Sequence, residues 1–272
     1  MKTLLLVLSG FCFLASAHAQ KQDEIAQIET ILSQGETLSI IDVALTFVDS
    51  PYGSLPEGEG EEQLLIDIES FDCVTLVETC LALSRTAHLY IDPTYEDFAN
   101  ELQLIRYRGG IIDDYPSRLH YMTDWVYDNE ELGIVEDITC EIGGKPLAPG
   151  LNYMSQHPDL YPSLKGSKEN IDQIKEAEDA INRRDDYYCF LPKHRIDRMS
   201  ESIEDGDIIF FVTSTPGLDV QHAGIAYWKE NGQLSFIHAS SRAKKVIVEP
   251  LSMFDYCRNG KSITGIMVVR LE

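Results

Sequence analysis

A cysteine at the mouth of a helix and two histidines on neighbouring strands carry most of the reactive chemistry in this sequence. The cysteine is Cys73, within Ser70-Phe71-Asp72-Cys73-Val74-Thr75-Leu76-Val77-Glu78. From Val74 onward, Val74, Val77 and Leu81, with Leu76, Cys80 and Leu83, fall at helical spacing. Asp72 precedes that helix, where a short acceptor side chain satisfies free backbone N–H groups. Cys73 then lies in the first turn, where the helix dipole favours negative charge and so a thiolate, the form that attacks carbonyls. Taken alone, Cys73 reads more simply as a small apolar residue opening a core helix. The downstream histidines reverse that reading.

His222 opens one predicted strand and His238 ends the next, with Asn231-Gly232 as a tight hairpin turn between them. Strands joined by a hairpin are neighbours, so the two imidazoles can lie side by side. If the sheet packs against the start of the Cys73 helix, a nucleophile, a base and an orienting group come together. Cys73 would attack an amide carbonyl. His222 would take the thiol proton and return it to the leaving amine. His238 would fix the tautomer of His222, and the Cys73 N–H would help hold the oxyanion. Spacing alone leaves two alternatives open. The histidines can be satisfied locally in their strands, or Cys73, His222 and His238 can be ligands of a metal such as zinc. No metal and no cofactor is expected.

The elements that must position these groups divide the chain in two. Amphipathic helical stripes run over 23–32 and 38–48, then from Cys73 to about Leu89, and from Tyr95, capped by Thr94, to Arg106. Ser117 is read as the cap of a helix over 118–131, and 171–183 as a polar helix. Residues 57–62 form a charged, glycine-rich loop. Residues 187–192 look extended. After Glu204 come short β-rich runs at 208–212, 223–228, 234–238, 246–248 and 263–271. Helices first and an antiparallel meander last give an α+β fold, with N-terminal helices packed on one side of a C-terminal antiparallel sheet.

The formal net charge of the 272-residue chain is −23, which excludes nucleic acid as a general partner and disfavours anionic membranes. An anionic ligand would need a local basic patch. Residues 1–19 are expected to be a secretory signal: Lys2, a short apolar run, and the small-x-small site Ala17-His18-Ala19. Phe11 before Cys12 does not suit a lipoprotein signal, so no membrane anchor is expected, and the protein is expected to be exported and periplasmic. Without the signal five cysteines remain, an odd number that leaves at least one thiol free. Cys73 and Cys80 lie roughly 10 Å apart on one helix, too far for a disulfide. A disulfide framework is not expected in a chain long enough to bury its own core.

Four motifs now form a set: Asp72-Cys73, Asp205-Gly206-Asp207, His222-Ala223-Gly224-Ile225 and Ile237-His238-Ala239-Ser240. The set resembles the NlpC-type cell-wall cysteine hydrolases. That resemblance implies a papain-like α+β fold with Cys73 as nucleophile, His222 as base and His238 as third member. Tyr52, in Ser50-Pro51-Tyr52, stands where that family has a tyrosine lining the site. Arg106-Tyr107-Arg108-Gly109-Gly110, Ser117-Arg118-Leu119-His120-Tyr121 and Gly217-Leu218-Asp219-Val220-Gln221-His222 further resemble the N-acetylmuramoyl-L-alanine amidase-like branch. This implies cleavage between the lactyl group of N-acetylmuramate and L-alanine in peptidoglycan fragments (muropeptides), for wall turnover or recycling. The organisation expected is a signal over 1–19 and a single domain over 20–272, with a large helical and loop insertion at about 91–200.

Two features depart from the common NlpC pattern: Val74-Thr75 after Asp-Cys, and the insertion itself. Both point to a deep, selective pocket and away from the usual D-glutamyl-diaminopimelate endopeptidase specificity. Tyr52, Asp72, Arg106, Arg118, His120 and Ser240 are the candidate substrate-binding residues. Arg118 is the first choice for a stem-peptide carboxylate, since arginine suits bidentate carboxylate binding. Scaffold salt bridges are the plainer alternative for the arginines, and an interior position for His120. The rival functions are a stem-peptide endopeptidase using the same Cys73, and a muropeptide-binding protein without catalysis.

Overall fold

The structure is a computed structural model that describes residues 21–55, 61–184 and 187–272. The expected signal over 1–19 and most of the glycine-rich loop lie outside the described residues. The elements are α1 (21–32), α2 (Ile40–Thr46), α3 (Cys73–Leu89), α4 (Tyr95–Arg106), α5 (Met122–Glu131), β1 (Val135–Asp137) and β2 (Lys145–Pro146). Next come α6 (Tyr153–Gln156), α7 (Lys168–Asn182), β3 (Cys189–Pro192) and α8 (Ile196–Met199). The chain ends with β4 (Ile208–Thr213), β5 (Val220–Trp228), β6 (Leu234–Ser240), β7 (Lys245–Val248), α9 (Met253–Asn259) and β8 (Ile263–Leu271).

The eight strands form one antiparallel sheet in the order β2-β3-β8-β4-β5-β6-β7, with β1 also paired to β8. The fold is α+β, as the order of helical and β-rich runs implied. The β5–β6 hairpin turns where Asn231-Gly232 predicted it: Lys229 N–H bonds Gln233 O, and Gly232 takes the positive φ of 76° that glycine tolerates.

β4 shows how the core is divided. All six of its residues are buried. Ile208, Phe210 and Val212 join the cluster formed with α1 to α5, while Ile209 and Phe211 join a second cluster with α8 and α9. Helices therefore cover both faces of the sheet, not one. The unbroken apolar run Ile208-Ile209-Phe210-Phe211-Val212 is the signature of a strand buried on both sides. A third cluster, with Tyr121, Leu151, Met154, Ile174, Ile181 and Tyr188, gives α7 its own footing.

Two local expectations need correction. The helix expected over 118–131 begins at Met122, because Arg118 is extended and bridges Tyr107, with Leu119 N–H bonded to Arg106 O. Cys140 and Cys189 form a disulfide, 49 residues apart in sequence. It ties the segment after β1 to β3, where no disulfide was expected. Cys73, Cys80 and Cys257 remain free thiols.

Candidate active site

The N-terminus of α3 is held by a capping box. The Asp72 carboxylate accepts from Val74 N–H at 3.0 Å and Thr75 N–H at 2.8 Å, while Thr75 Oγ1 accepts from Asp72 N–H at 2.9 Å. Asp72 is thus spent on the helix, and Cys73 is the first helical residue. Its environment does not leave a resting thiolate. Burial, and then the charge of Asp72, push the Cys73 thiol up to about 12, against the pull of the Ala223, Cys73 and Val74 N–H groups. The environment runs against the expected easy ionisation chiefly because the sulfur is buried, and secondly because the cap that starts the helix sets a carboxylate near it. Deprotonation therefore requires a base.

The sulfur meets the sheet where β5 and β6 part. Their ladder ends at Ile225↔Ile237, two residues short of Ala223, whose N–H goes to the sulfur. Ala223 and Ile225 face the α3 side, so the alternate residues His222 and Gly224 face α9. There His222 Nε2 and His238 Nδ1 are 2.6 Å apart, with the rings edge to face. Gly224 leaves the room for this: a Cβ there would come within 2.8 Å of Phe236 Cδ2 and 3.3 Å of His238 Cβ. Phe211, Phe236 and Tyr256 pack around the two rings.

A third link continues the chain. His238 Nε2 lies 3.3 Å from Glu249 Oε2, just past β7. Burial, and then the neighbouring His238, lower the His222 pKa to about 3, and burial lowers that of His238 to about 4. Both rings are neutral at neutral pH. Sequence reasoning missed Glu249 and also Tyr256, whose phenol burial and the nearby Glu249, Cys257 and Cys73 raise to about 12. Tyr52 bridges Phe71, and burial, then the charges of Cys73 and Asp72, raise its pKa, so its phenol stays protonated.

Tyr52, Asp72 and Cys73 share the start of α3, with the sulfur reaching Ala223 N–H, while the neighbouring strands carry His222, His238 and Ser240. The last two line a cavity of about 450 Å³ with His222, Gln221, Tyr256 and Asn259. Arg106, Arg118 and His120 are not among the residues lining it. Arg106 is buried, with Nε 2.7 Å from Glu78 Oε2 and Nη1 2.6 Å from Leu65 O. The Arg118 guanidinium is engaged by Glu62, which also accepts from Tyr107 Oη at 2.7 Å. His120 is packed on Tyr115, with Nε2 3.0 Å from Tyr115 O, and burial lowers its pKa to about 3. These three side chains tie scaffold segments together.

Among the described residues no group of three or more His, Cys, Asp and Glu side chains is arranged to hold a metal ion. A contact of 2.6 Å between two ring nitrogens is a hydrogen bond. Two nitrogens sharing a tetrahedral zinc would stand about 3.3 Å apart. No helix among the described residues is long and apolar enough to cross a membrane.

Residues 42–266 match the family described as AmiA-like, N-acetylmuramoyl-L-alanine amidase-like, and the chain belongs to that family. It is similar to a structure of an N-acetylmuramoyl-L-alanine amidase from Bacteroides uniformis, with 37% identity over 88% of this chain and 99% of that one, at a TM-score of 0.79. It is also similar to a protein from Bacteroides fragilis named as a candidate xylanase, with 40% identity, coverages of 85% and 100%, and a TM-score of 0.77. A Legionella pneumophila protein shares the fold at 24% identity, covering 93% of this chain and 96% of that one, with a TM-score of 0.68. No curated protein matches the chain.

Proposed function

We propose that this protein is a papain-like cysteine amidase of the NlpC type that hydrolyses the bond between N-acetylmuramate and L-alanine in muropeptides. The observation that carries the reading is the hydrogen-bonded line His222–His238–Glu249, whose first ring is next in sequence to Ala223, the residue whose N–H reaches the Cys73 sulfur. Membership of the amidase-like family supports the substrate class.

The line dictates the tautomers. Glu249 accepts from His238 Nε2–H, so His238 Nδ1 carries a lone pair and accepts from His222 Nε2–H. His222 Nδ1 is then the free base. It takes the Cys73 proton as the sulfur attacks the lactyl carbonyl carbon. A C–S bond forms and the carbonyl oxygen becomes an oxyanion. The Cys73 N–H, which Asp72 leaves unclaimed, and the Tyr52 hydroxyl are its donors. Collapse breaks the C–N bond, and His222 gives its proton to the amine of L-alanine. Water, losing a proton to His222, then cleaves the thioester and releases the muramyl carboxylate and the thiol.

Glycoside hydrolysis does not suit this cavity. It calls for two carboxylates flanking the bond, whereas Glu249 is the only acid among the described residues lining the cavity, and it already serves His238 and Leu251 N–H. The Cys140–Cys189 disulfide supports an exported, periplasmic protein, since such bridges persist in oxidising compartments. The test is mass spectrometry of defined muropeptides digested by wild type and Cys73→Ala. Release of an intact stem peptide by the wild type alone is expected. Scission within the peptide would point to the endopeptidase instead, and no cleavage of any muropeptide would remove the enzymatic reading.

A further inference from the structure

The turn from β6 to β7 overhangs the cavity beside the two histidines. It carries Arg242, Lys244 and Lys245, a dense run of positive charge in a chain of net charge −23. The turn is pinned at several points. Ser240 Oγ accepts from Ala243 N–H at 3.1 Å, Ser240 O from Lys244 N–H at 2.8 Å, and Lys244 O from Tyr52 N–H at 2.9 Å. Lys244 sits at a φ of 62°, a conformation that side-chain-bearing residues seldom adopt. Ser240 therefore acts structurally, shaping the turn that presents Arg242.

The cations near the site differ in their commitments. Lys245 pairs with Asp49 at 2.6 Å and Arg258 with Asp255 at 2.8 Å, while Lys244 stands over the Tyr52 ring at 5.8 Å. Arg242 has no ion pair among the described residues. It is also the one Lys or Arg among the described residues lining the cavity with His222 and His238. The strongly acidic remainder of the chain repels anions, so an acidic ligand reaches this cavity only with a local countercharge. A guanidinium with free donors suits a carboxylate.

We propose that the β6–β7 turn is the specificity element for acidic peptides, with Arg242 binding a free carboxylate of the peptide whose first amide lies at Cys73 and Lys244 adding to the local field. This rests on the amide-hydrolysis reading. The test compares N-acetylmuramoyl-L-Ala-γ-D-Glu with its carboxamide analogue, using wild type, Arg242→Gln and Arg242→Lys. Wild type is expected to show a KM about 10-fold lower for the acidic peptide, equivalent to about 1.4 kcal/mol. Arg242→Gln erases that preference through KM rather than kcat, and Arg242→Lys keeps part of it. Equal KM values for both peptides in the wild type, or an unchanged preference in Arg242→Gln, overturn the proposal. Calorimetry of the same peptides on Cys73→Ala, with and without Arg242→Gln, separates the two claims. If wild type cleaves neither peptide, the hydrolysis reading fails while the binding preference still decides the role of Arg242.

Discussion

Replacing Glu249 by leucine removes the far end of the line proposed to orient the base. The ring centroids of His222 and His238 are 4.8 Å apart, and Glu249 Oε2 is 3.3 Å from His238 Nε2. The carboxylate is therefore about 9 Å from the imidazolium that forms on His222. At an effective dielectric of about 20, a unit charge at that distance is worth about 1.8 kcal/mol, or about 20-fold in rate. Loss of the tautomer preference adds to this. We expect kcat on a defined muropeptide to fall at least about 20-fold with KM little changed, and Glu249→Asp to recover part of it. Nitrogen-15 spectra should show His222 protonated at Nε2 in the wild type and a mixture of tautomers in Glu249→Leu. A folded Glu249→Leu protein with kcat within about threefold of wild type would refute the relay.

Three further outcomes follow from the geometry. His222 and His238 have pKa values lowered to about 3 and about 4, below the ordinary histidine value, so both stay neutral as the pH falls through 6. The acidic limb of kcat/KM should lie below about pH 5; a limb near 6.5, the unperturbed histidine value, would contradict the burial of these rings. Arg106→Ala strips a buried Glu78 of its partner and should destabilise the fold by about 3–5 kcal/mol in chemical denaturation; a stable variant with only a raised KM would return Arg106 to the substrate. Cys140→Ser opens a bridge between residues 49 apart and should cost about 4 kcal/mol or less by the chain-entropy relation; an unchanged denaturation midpoint would contradict a structural role.

What could be read from the sequence was whatever is encoded locally. Asp72 before an apolar period, Asn231-Gly232 between two strands, and Thr94 before α4 each announce themselves within a few residues. The nearness of His222 and His238 followed from the hairpin. Glu249 did not, because one acid among 45 Asp and Glu residues has no local mark. Only the register His238↔Ile247 sets it beside the ring. The arginines misled for the same reason. Their density in sequence says nothing of Glu78 and Glu62, whose positions 28 and 56 residues upstream decide that Arg106 and Arg118 are scaffold contacts. The helix expected from Arg118 failed because pairing with Tyr107 outweighs local propensity.

Rapid quenching of wild-type protein mixed with excess muropeptide, followed by intact-protein and peptide mass spectrometry, addresses the covalent step itself. A transient adduct with the mass of the N-acetylmuramoyl acyl group, mapped to Cys73 and absent from Cys73→Ala, is the predicted result. Undiminished release of stem peptide by Cys73→Ala would contradict it.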